Sequence, residues 1–449
     1  MKAYENYATY PCLWHSSFPS HWDVVPLYAL AKEKVVCGCV ELPLLSVYLD
    51  VGVIPFSDKA DKRTNATSKD LSKYQRVDVG DFVLNNQQAW RGSVGISFYT
   101  GIVSPAYIVL AMNKLLNSRY VNYLFRSRVM VDQYLINSKS VGSIQRNIYW
   151  PALKRAIVPV PPREEQDQIV RFLDWKVSGI NKLINIKRKE IKDLESMKQA
   201  MVSSAVTRGL NPNAPMKFSG VKWLGNIPAH WECEKIGALF TERRRKVSDK
   251  EYAPLSVAKI GVVPQLETAV KTDAGDNRKL VCAGDFVINS RSDRKGSCGV
   301  SEFDGSVSLI NIVLTPRNQW NGRYVHYLMR SQPFSEEFYR NGRGIVADLW
   351  TTRYSEMKSI LLPVPPREEQ DQIVRFLDSR MSDFNRLISL RKQQIVELED
   401  LKTRLISDVV TGKIDVRDVK IPEFNMVEED IDEEISEEIV EANQKTEAE

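Results

Sequence analysis

Between Pro161 and about Val206, apolar residues return at every third or fourth position: Ile169, Leu173, Val177, Ile180, Ile184, Ile191, Leu194 and Met201. The same stripe returns after Pro365 at Ile373, Leu377, Met381, Phe384, Ile388, Ile395, Leu398 and Leu405. Steps of three and four sustained this long predict two long helices with coiled-coil seams. Each opens on a Pro-Pro pair, well placed at a helix start, and then on Glu164-Glu165 or Glu368-Glu369, whose charge suits the helix N-terminus. About 40 residues at 1.5 Å each give roughly 60 Å of helix. Lys187 and Arg391 interrupt the seams at equivalent positions, where a long stem can snorkel and set the register. A lone helix of this kind would leave its seam wet, so the two are expected to pair with each other, antiparallel.

The rest of the pattern is strand-like and duplicated. Pro159-Val-Pro-Pro-Arg-Glu-Glu-Gln-Asp-Gln-Ile-Val-Arg-Phe-Leu-Asp174 recurs unchanged as Pro363 to Asp378, an offset of 204. The offset continues upstream: Gly80-Asp-Phe-Val-Leu-Asn85 matches Gly284-Asp-Phe-Val-Ile-Asn289, and Arg119-Tyr-Val121 matches Arg323-Tyr-Val325. His21-Trp22 matches His230-Trp231 at an offset of 209, so the length change falls between Trp22 and Gly80. Short apolar runs (Phe82 to Leu84, Tyr107 to Leu110, Phe286 to Ile288, Asn311 to Leu314) read as buried strands, while Arg119 to Arg128 and Arg323 to Arg330 read as helices. The predicted class is α+β: a tandem repeat of two similar mixed domains joined by two long antiparallel helices. The expected boundaries are 1–160 and 209–364 for the domains, 161–208 and 365–412 for the helices, and 413–449 for a C-terminal extension.

Charge then sharpens the picture. The net charge of +5 conceals an acidic end: from Glu423 to Glu449 twelve Asp/Glu stand against one Lys, leaving +16 on the remaining residues. A body that basic suits a polyanion, and the acidic end is expected to be a solvated, disordered tail. No apolar run is long enough to span a membrane, and residues 1–10 are polar, so a cytoplasmic protein is expected. The six cysteines form no CxxC pair, and no metal is expected. The chain contains no G-x-x-x-x-G-K-[ST] loop, no G-x-G-x-x-G after a strand and no Asn/Asp-Pro-Pro-aromatic motif, which argues against nucleotide hydrolysis or adenine methylation by this chain itself.

The duplicated Pro-Pro-Arg-Glu-Glu-Gln opening a long helix, Trp223-Leu-Gly-Asn-Ile-Pro-Ala-His-Trp231, and Leu405-Ile-Ser-Asp-Val-Val-Thr-Gly-Lys-Ile-Asp415 together resemble the specificity subunit of type I restriction-modification systems. The resemblance covers the chain to about Ile421. The first His-Trp segment departs from it by lacking Leu-Gly, and the acidic tail has no counterpart. The resemblance implies two target-recognition domains, each reading one half of a split double-stranded DNA site, with the helices acting as a ruler. It implies two modification subunits that methylate adenine with S-adenosylmethionine, and two motor-nuclease restriction subunits that use ATP and Mg2+. It implies no cofactor and no catalysis in this chain. The alternative class is a coiled-coil scaffold that binds proteins rather than DNA.

Asn, Gln and Arg read base edges in the major groove, whereas Lys and Arg also neutralise phosphates. Asn85, Asn86, Gln87, Gln88, Trp90 and Arg91 form one candidate loop, and Ser290, Arg291, Ser292, Arg294 and Lys295 form its counterpart. Gln145, Arg146 and Arg343 belong to a second pair of polar loops. Candidate phosphate contacts are Lys62, Arg63, Lys69, Lys73, Arg76, Lys139, Arg243, Arg244, Arg245, Lys246 and Arg340. His21 and His230 are expected to be structural.

Overall fold

A computed structural model of the chain describes residues 2–10, 17–49, 51–56, 70–114, 116–141, 145–265, 275–291, 294–317, 320–344 and 350–430. They divide into two units: Met1–Arg188 together with Lys392–Glu449, and Lys189–Arg391. Each unit therefore holds one mixed domain and parts of both long helices, which run Arg163–Arg208 and Arg367–Val410.

In the first unit, four antiparallel strands lie in the order Ala31–Glu33, Tyr107–Met112, Phe82–Asn85, Val94–Ile96. Val83 stands opposite Val109, and both are fully buried. In the second unit the order is Phe240–Glu242, Asn311–Pro316, Phe286–Asn289, Cys298–Val300, with Val287 opposite Val313. The continuous apolar runs in these central strands reflect burial on both faces. In each unit a further strand pair, Asp23–Pro26 with Ile157–Val160 and Glu232–Lys235 with Leu361–Val364, leads into a long helix.

The helices pair within each unit. In the first, Lys402 Nζ lies 3.3 Å from Asn181 Oδ1 and Arg188 lies 3.5 Å from Glu399. In the second, Lys198 Nζ donates to Asn385 Oδ1 at 2.7 Å and Arg391 pairs with Glu190 at 2.5 Å. Numbers rise on one helix as they fall on the other, so the pairing is antiparallel. Ile169, Leu173, Ile184 and Ile191 are completely buried, as are Ile373, Leu377 and Ile395. Arg391 does not simply snorkel: it is tied to Glu190 across the pair.

The long helices end on glycines with left-handed backbone, Gly209 at φ +73° and Gly412 at φ +75°. A Cβ on Gly412 would stand 2.4 Å from Pro19 Cδ, so neither the conformation nor the space admits another residue.

Two readings change. Arg119 to Arg128 is not one helix: Ser118–Arg126 ends at Ser127, whose extended backbone starts a second helix, Arg128–Ile136. The acidic segment is also not wholly solvated. Residues 425–430 lie along the first long helix, gripped through their backbone. Ser178 Oγ donates to the Asn425 carbonyl, Asn181 Nδ2 to that of Val427 and Asn185 Nδ2 to that of Glu428, at 2.9–3.1 Å. Arg188 donates to the Asp430 carbonyl and pairs with Glu429 at 2.7 Å. Residues 431–449 lie outside the described residues.

Candidate nucleic-acid interface

In each domain the structure brings together the two loops that sequence reading treats as separate candidates. In the first, the loop after strand Phe82–Asn85 meets the hairpin Ser138–Val141/Gln145–Ile148: the Ile148 N–H donates to the Asn86 carbonyl at 3.2 Å and to Asn86 Oδ1 at 2.9 Å. In the second, the Thr352 N–H donates to the Ser290 carbonyl at 2.9 Å, and Thr351 bridges to both Arg291 and Arg343. Asn86 and Ser290 are 204 residues apart, as are Ile148 and Thr352. One backbone scaffold is thus built twice and dressed with different side chains.

On the first scaffold, Gln87 and Arg91 are exposed, and the Arg91 guanidinium lies 4.7 Å from the Trp90 ring. Trp90 Nε1 donates to the Gln87 carbonyl at 3.0 Å. Lys139 is exposed, its Nζ 3.7 Å from the ring of Tyr149, an aromatic group outside the candidates drawn from sequence. Asn85 Oδ1 accepts from the Gln87 N–H in an Asx turn, and Gln88 precedes the short helical turn Ala89–Arg91. Arg146 is used within the hairpin, donating to Ser138 Oγ at 2.8 Å and to Ser140 Oγ at 3.3 Å. Gln145 opens the second hairpin strand, but its side chain lies outside what is described.

On the second scaffold, Arg291, Arg294 and Lys295 are exposed, with Lys295 Nζ 5.7 Å from the Tyr339 ring. The Arg343 side chain is 85% exposed and only loosely near Glu356, at 4.0 Å. Arg340 pairs with Glu337 on its own helix. Ser290 is 4% exposed and donates to the Ile310 carbonyl at 2.6 Å, so its hydroxyl faces the domain interior and offers nothing to a ligand. Ser292 lies outside the described residues.

The phosphate candidates divide in the same way. Lys73, Arg244, Arg245 and Lys246 are exposed, Arg244 sharing Glu242 at 2.6 Å. Arg76 pairs with Asp78 at 2.9 Å. Arg243 is a structural cation: it forks onto Asp285 at 2.7 and 3.0 Å. Its counterpart at the 209 offset is Lys34, bound to Asp78 and Asp81 at 2.6 and 2.5 Å. Burial alone would lower the Lys34 ammonium, but its two carboxylates outweigh this and raise it. Lys62, Arg63 and Lys69 lie outside the described residues.

The duplicated motifs set each domain on its helix. Glu165 of the first long helix accepts from Trp22 Nε1 at 3.0 Å, His21 Nε2 lies 2.8 Å from its other oxygen, and the Tyr4 hydroxyl donates to it as well. Glu369 meets Trp231 at 2.9 Å and His230 at 2.8 Å. The histidines are therefore second partners of a helix-start carboxylate. His326 is buried, which pushes it down to about 4 and keeps it neutral. Burial pushes the Cys298 thiol up to about 12, so it is no nucleophile. Among the described residues, no group of three or more His, Cys, Asp or Glu is placed to hold a metal, and no helix is long and apolar enough to cross a membrane.

Residues 20–193 match the type I restriction modification DNA specificity domain. The chain is 26% identical over 378 residues to the putative type I restriction enzyme MjaX specificity subunit of Methanocaldococcus jannaschii, spanning 78% of this chain and 81% of that protein. It is 23% identical over 433 residues to the type I restriction enzyme MjaVIII specificity subunit of the same organism, spanning 89% and 95%. A solved chain described under complex assembly and conformational transition of the type I R-M system shares the fold, with a TM-score of 0.62 at 16% identity over 88% of this chain and 99% of that one. The matched domain takes in the first copy of a repeat whose second copy reproduces its motifs and hydrogen bonds. Over most of its length the chain is similar to type I restriction-modification specificity subunits.

Proposed function

We propose that this chain reads a bipartite double-stranded DNA target, one half-site per domain, for a type I restriction-modification complex in the cytoplasm. The observation that carries this reading is the twice-built scaffold with unlike side chains: Gln87, Arg91 and Lys139 on one copy, Arg291, Arg294, Lys295 and Arg343 on the other. Equal backbones present the side chains to equal depth, and unlike side chains select unlike bases. Arg and Gln supply base-edge contacts, and Lys73, Arg244, Arg245 and Lys246 supply phosphate neutralisation that holds the register. The chain performs no chemistry. Adenine methylation with S-adenosylmethionine belongs to two modification subunits, and cleavage with ATP and Mg2+ to two restriction subunits. The paired helices set the spacer.

The helices also offer two equivalent apolar patches to the modification subunits. Leu183, Ile186 and Leu401 are exposed in the first unit, and Leu387, Leu390 and Met197 in the second. The two sets correspond residue by residue at the 204 offset. The pairing of Asn181 with Lys402 sets Leu401 level with Leu183, and that of Lys198 with Asn385 sets Met197 level with Leu387. Two identical partners require two identical surfaces.

The test is domain exchange. Residues 1–160 are replaced by the corresponding domain of a relative, and methylated adenines are mapped in the host genome. One half-site should change while the other half and the spacer persist. A change in both halves, or in neither, would overturn the reading.

A further inference from the structure

The socket that holds residues 425–430 is built twice, although the chain fills only one copy among the described residues. In the first unit it consists of Ser178, Asn181 and Asn185 on one helix, with Lys402 from the other holding Asn181 Oδ1 so that Nδ2 is left to donate to the docked carbonyl. The 204 offset places Ser382, Asn385, Ser389 and Lys198 in the second unit at the same positions. The key contact is reproduced there: Lys198 Nζ donates to Asn385 Oδ1 at 2.7 Å. Asn385 is therefore oriented as Asn181 is, with its Nδ2 unpaired. Ser382, Asn385 and Ser389 are all exposed, and no described segment lies across them.

A wholly solvated helix face needs no such orientation. Two hydroxyls and an amide set at intervals of three and four residues, beside a lysine, repeat the placing of the row that holds the carbonyls of Asn425, Val427 and Glu428 in the first unit. The occupied copy shows what such a row selects: backbone carbonyls for the Ser and Asn side chains, and a carboxylate, Glu429, for Lys402.

We infer that Ser382, Asn385, Ser389 and Lys198 form a second socket, which takes an extended acidic segment contributed by a partner protein. Affinity comes mainly from backbone carbonyls, so the partner's sequence is constrained by its charge and its freedom to extend rather than by particular side chains. Lys198 supplies the preference for acidic residues. The inference concerns a protein contact and stands apart from the reading of DNA.

The experiment uses the full-length chain and a fluorescent peptide of its own residues 421–430, the one sequence known to fit the row. Fluorescence anisotropy should show one peptide bound per chain, with binding weakened by salt. The double substitution Lys198→Glu with Ser389→Glu should weaken it about tenfold or more, while Asn185→Ala, in the filled copy, should leave it unchanged. A scrambled peptide of equal charge should bind about as well, and an uncharged variant poorly. Absence of binding to the full-length chain would overturn the inference. So would binding that survives the double substitution while circular dichroism shows the helices intact, because the peptide would then sit elsewhere.

Discussion

At the scale of single residues, Arg188 carries more than its place in the sequence suggests. It is 5% exposed and sits where Glu399, Glu429 and the Asp430 carbonyl converge. The two carboxylates respond in opposite directions. Burial and the neighbouring Glu429 charge raise Glu399. Burial alone would also raise Glu429, but Lys402 and Arg188 outweigh it and hold Glu429 below its usual range. Removing Arg188 leaves two partly desolvated acids facing each other. Arg188→Met should destabilise the first unit by about 2–3 kcal/mol, less than for full burial because both acids can turn toward solvent. Chemical denaturation checks this, and a loss below 0.5 kcal/mol, on the order of an exposed pair, would contradict the assignment.

The same cluster sets a pH response. A carboxyl group lowered in the fold stabilises it above the ordinary Glu value of about 4.3, and that stability is lost as pH falls through the lowered value. The opposite sign holds for Glu399: its charged form is penalised in the fold, and the penalty is relieved as it protonates at its raised value. Falling pH should therefore leave residues 425–430 docked until about pH 4 and release them below it. Hydrogen exchange of those amides, corrected for intrinsic rate, would show this. Release well above pH 4 would contradict the assignment of the contact to Glu429.

At the scale of elements, the long helices were fully legible because their burial is periodic and period is written in the sequence. Ile191 and Ile395 stand at zero exposure where the stripe puts them. The docked acidic segment was not legible, since it is held by its carbonyls, which every sequence presents alike. The polar row that holds it reads as an ordinary solvated face. The union of the two candidate loops in each domain was hidden for a related reason: Asn86 and Ile148 meet through a backbone N–H 62 residues away. The side chains of Ser290 and Arg243 are engaged within the fold, on the Ile310 carbonyl and on Asp285, because composition does not say which way a side chain points. The exposed apolar pairs on the helices invite a direct test. Leu183→Asp with Ile186→Asp should leave unfolding unchanged within about 0.5 kcal/mol and reduce the modification subunits bound per chain from two to one. Sedimentation of the reconstituted complex measures the count, and an unchanged count would remove the patch from the interface.

At the scale of the whole molecule, the duplication was apparent from sixteen identical residues, and the structure carries it down to hydrogen bonds. Trp22 on Glu165 and Trp231 on Glu369 are the same joint made twice. What the repeat does not duplicate is continuity. The second unit is one unbroken stretch, Lys189–Arg391, whereas the first is completed only by Lys392–Glu449. In the finished molecule, Lys2 bridges to Asp415, and the Tyr7 hydroxyl donates to the Gly412 carbonyl at 2.9 Å. During synthesis the second-born body can therefore close before the first. At about 5–20 residues per second, the earlier one waits tens of seconds with its seam uncovered. A chain ending at Arg391, held on the ribosome by an unstructured linker long enough to clear the exit tunnel, should show a protease-resistant later half and a protease-sensitive earlier one, the reverse of the usual order of maturation.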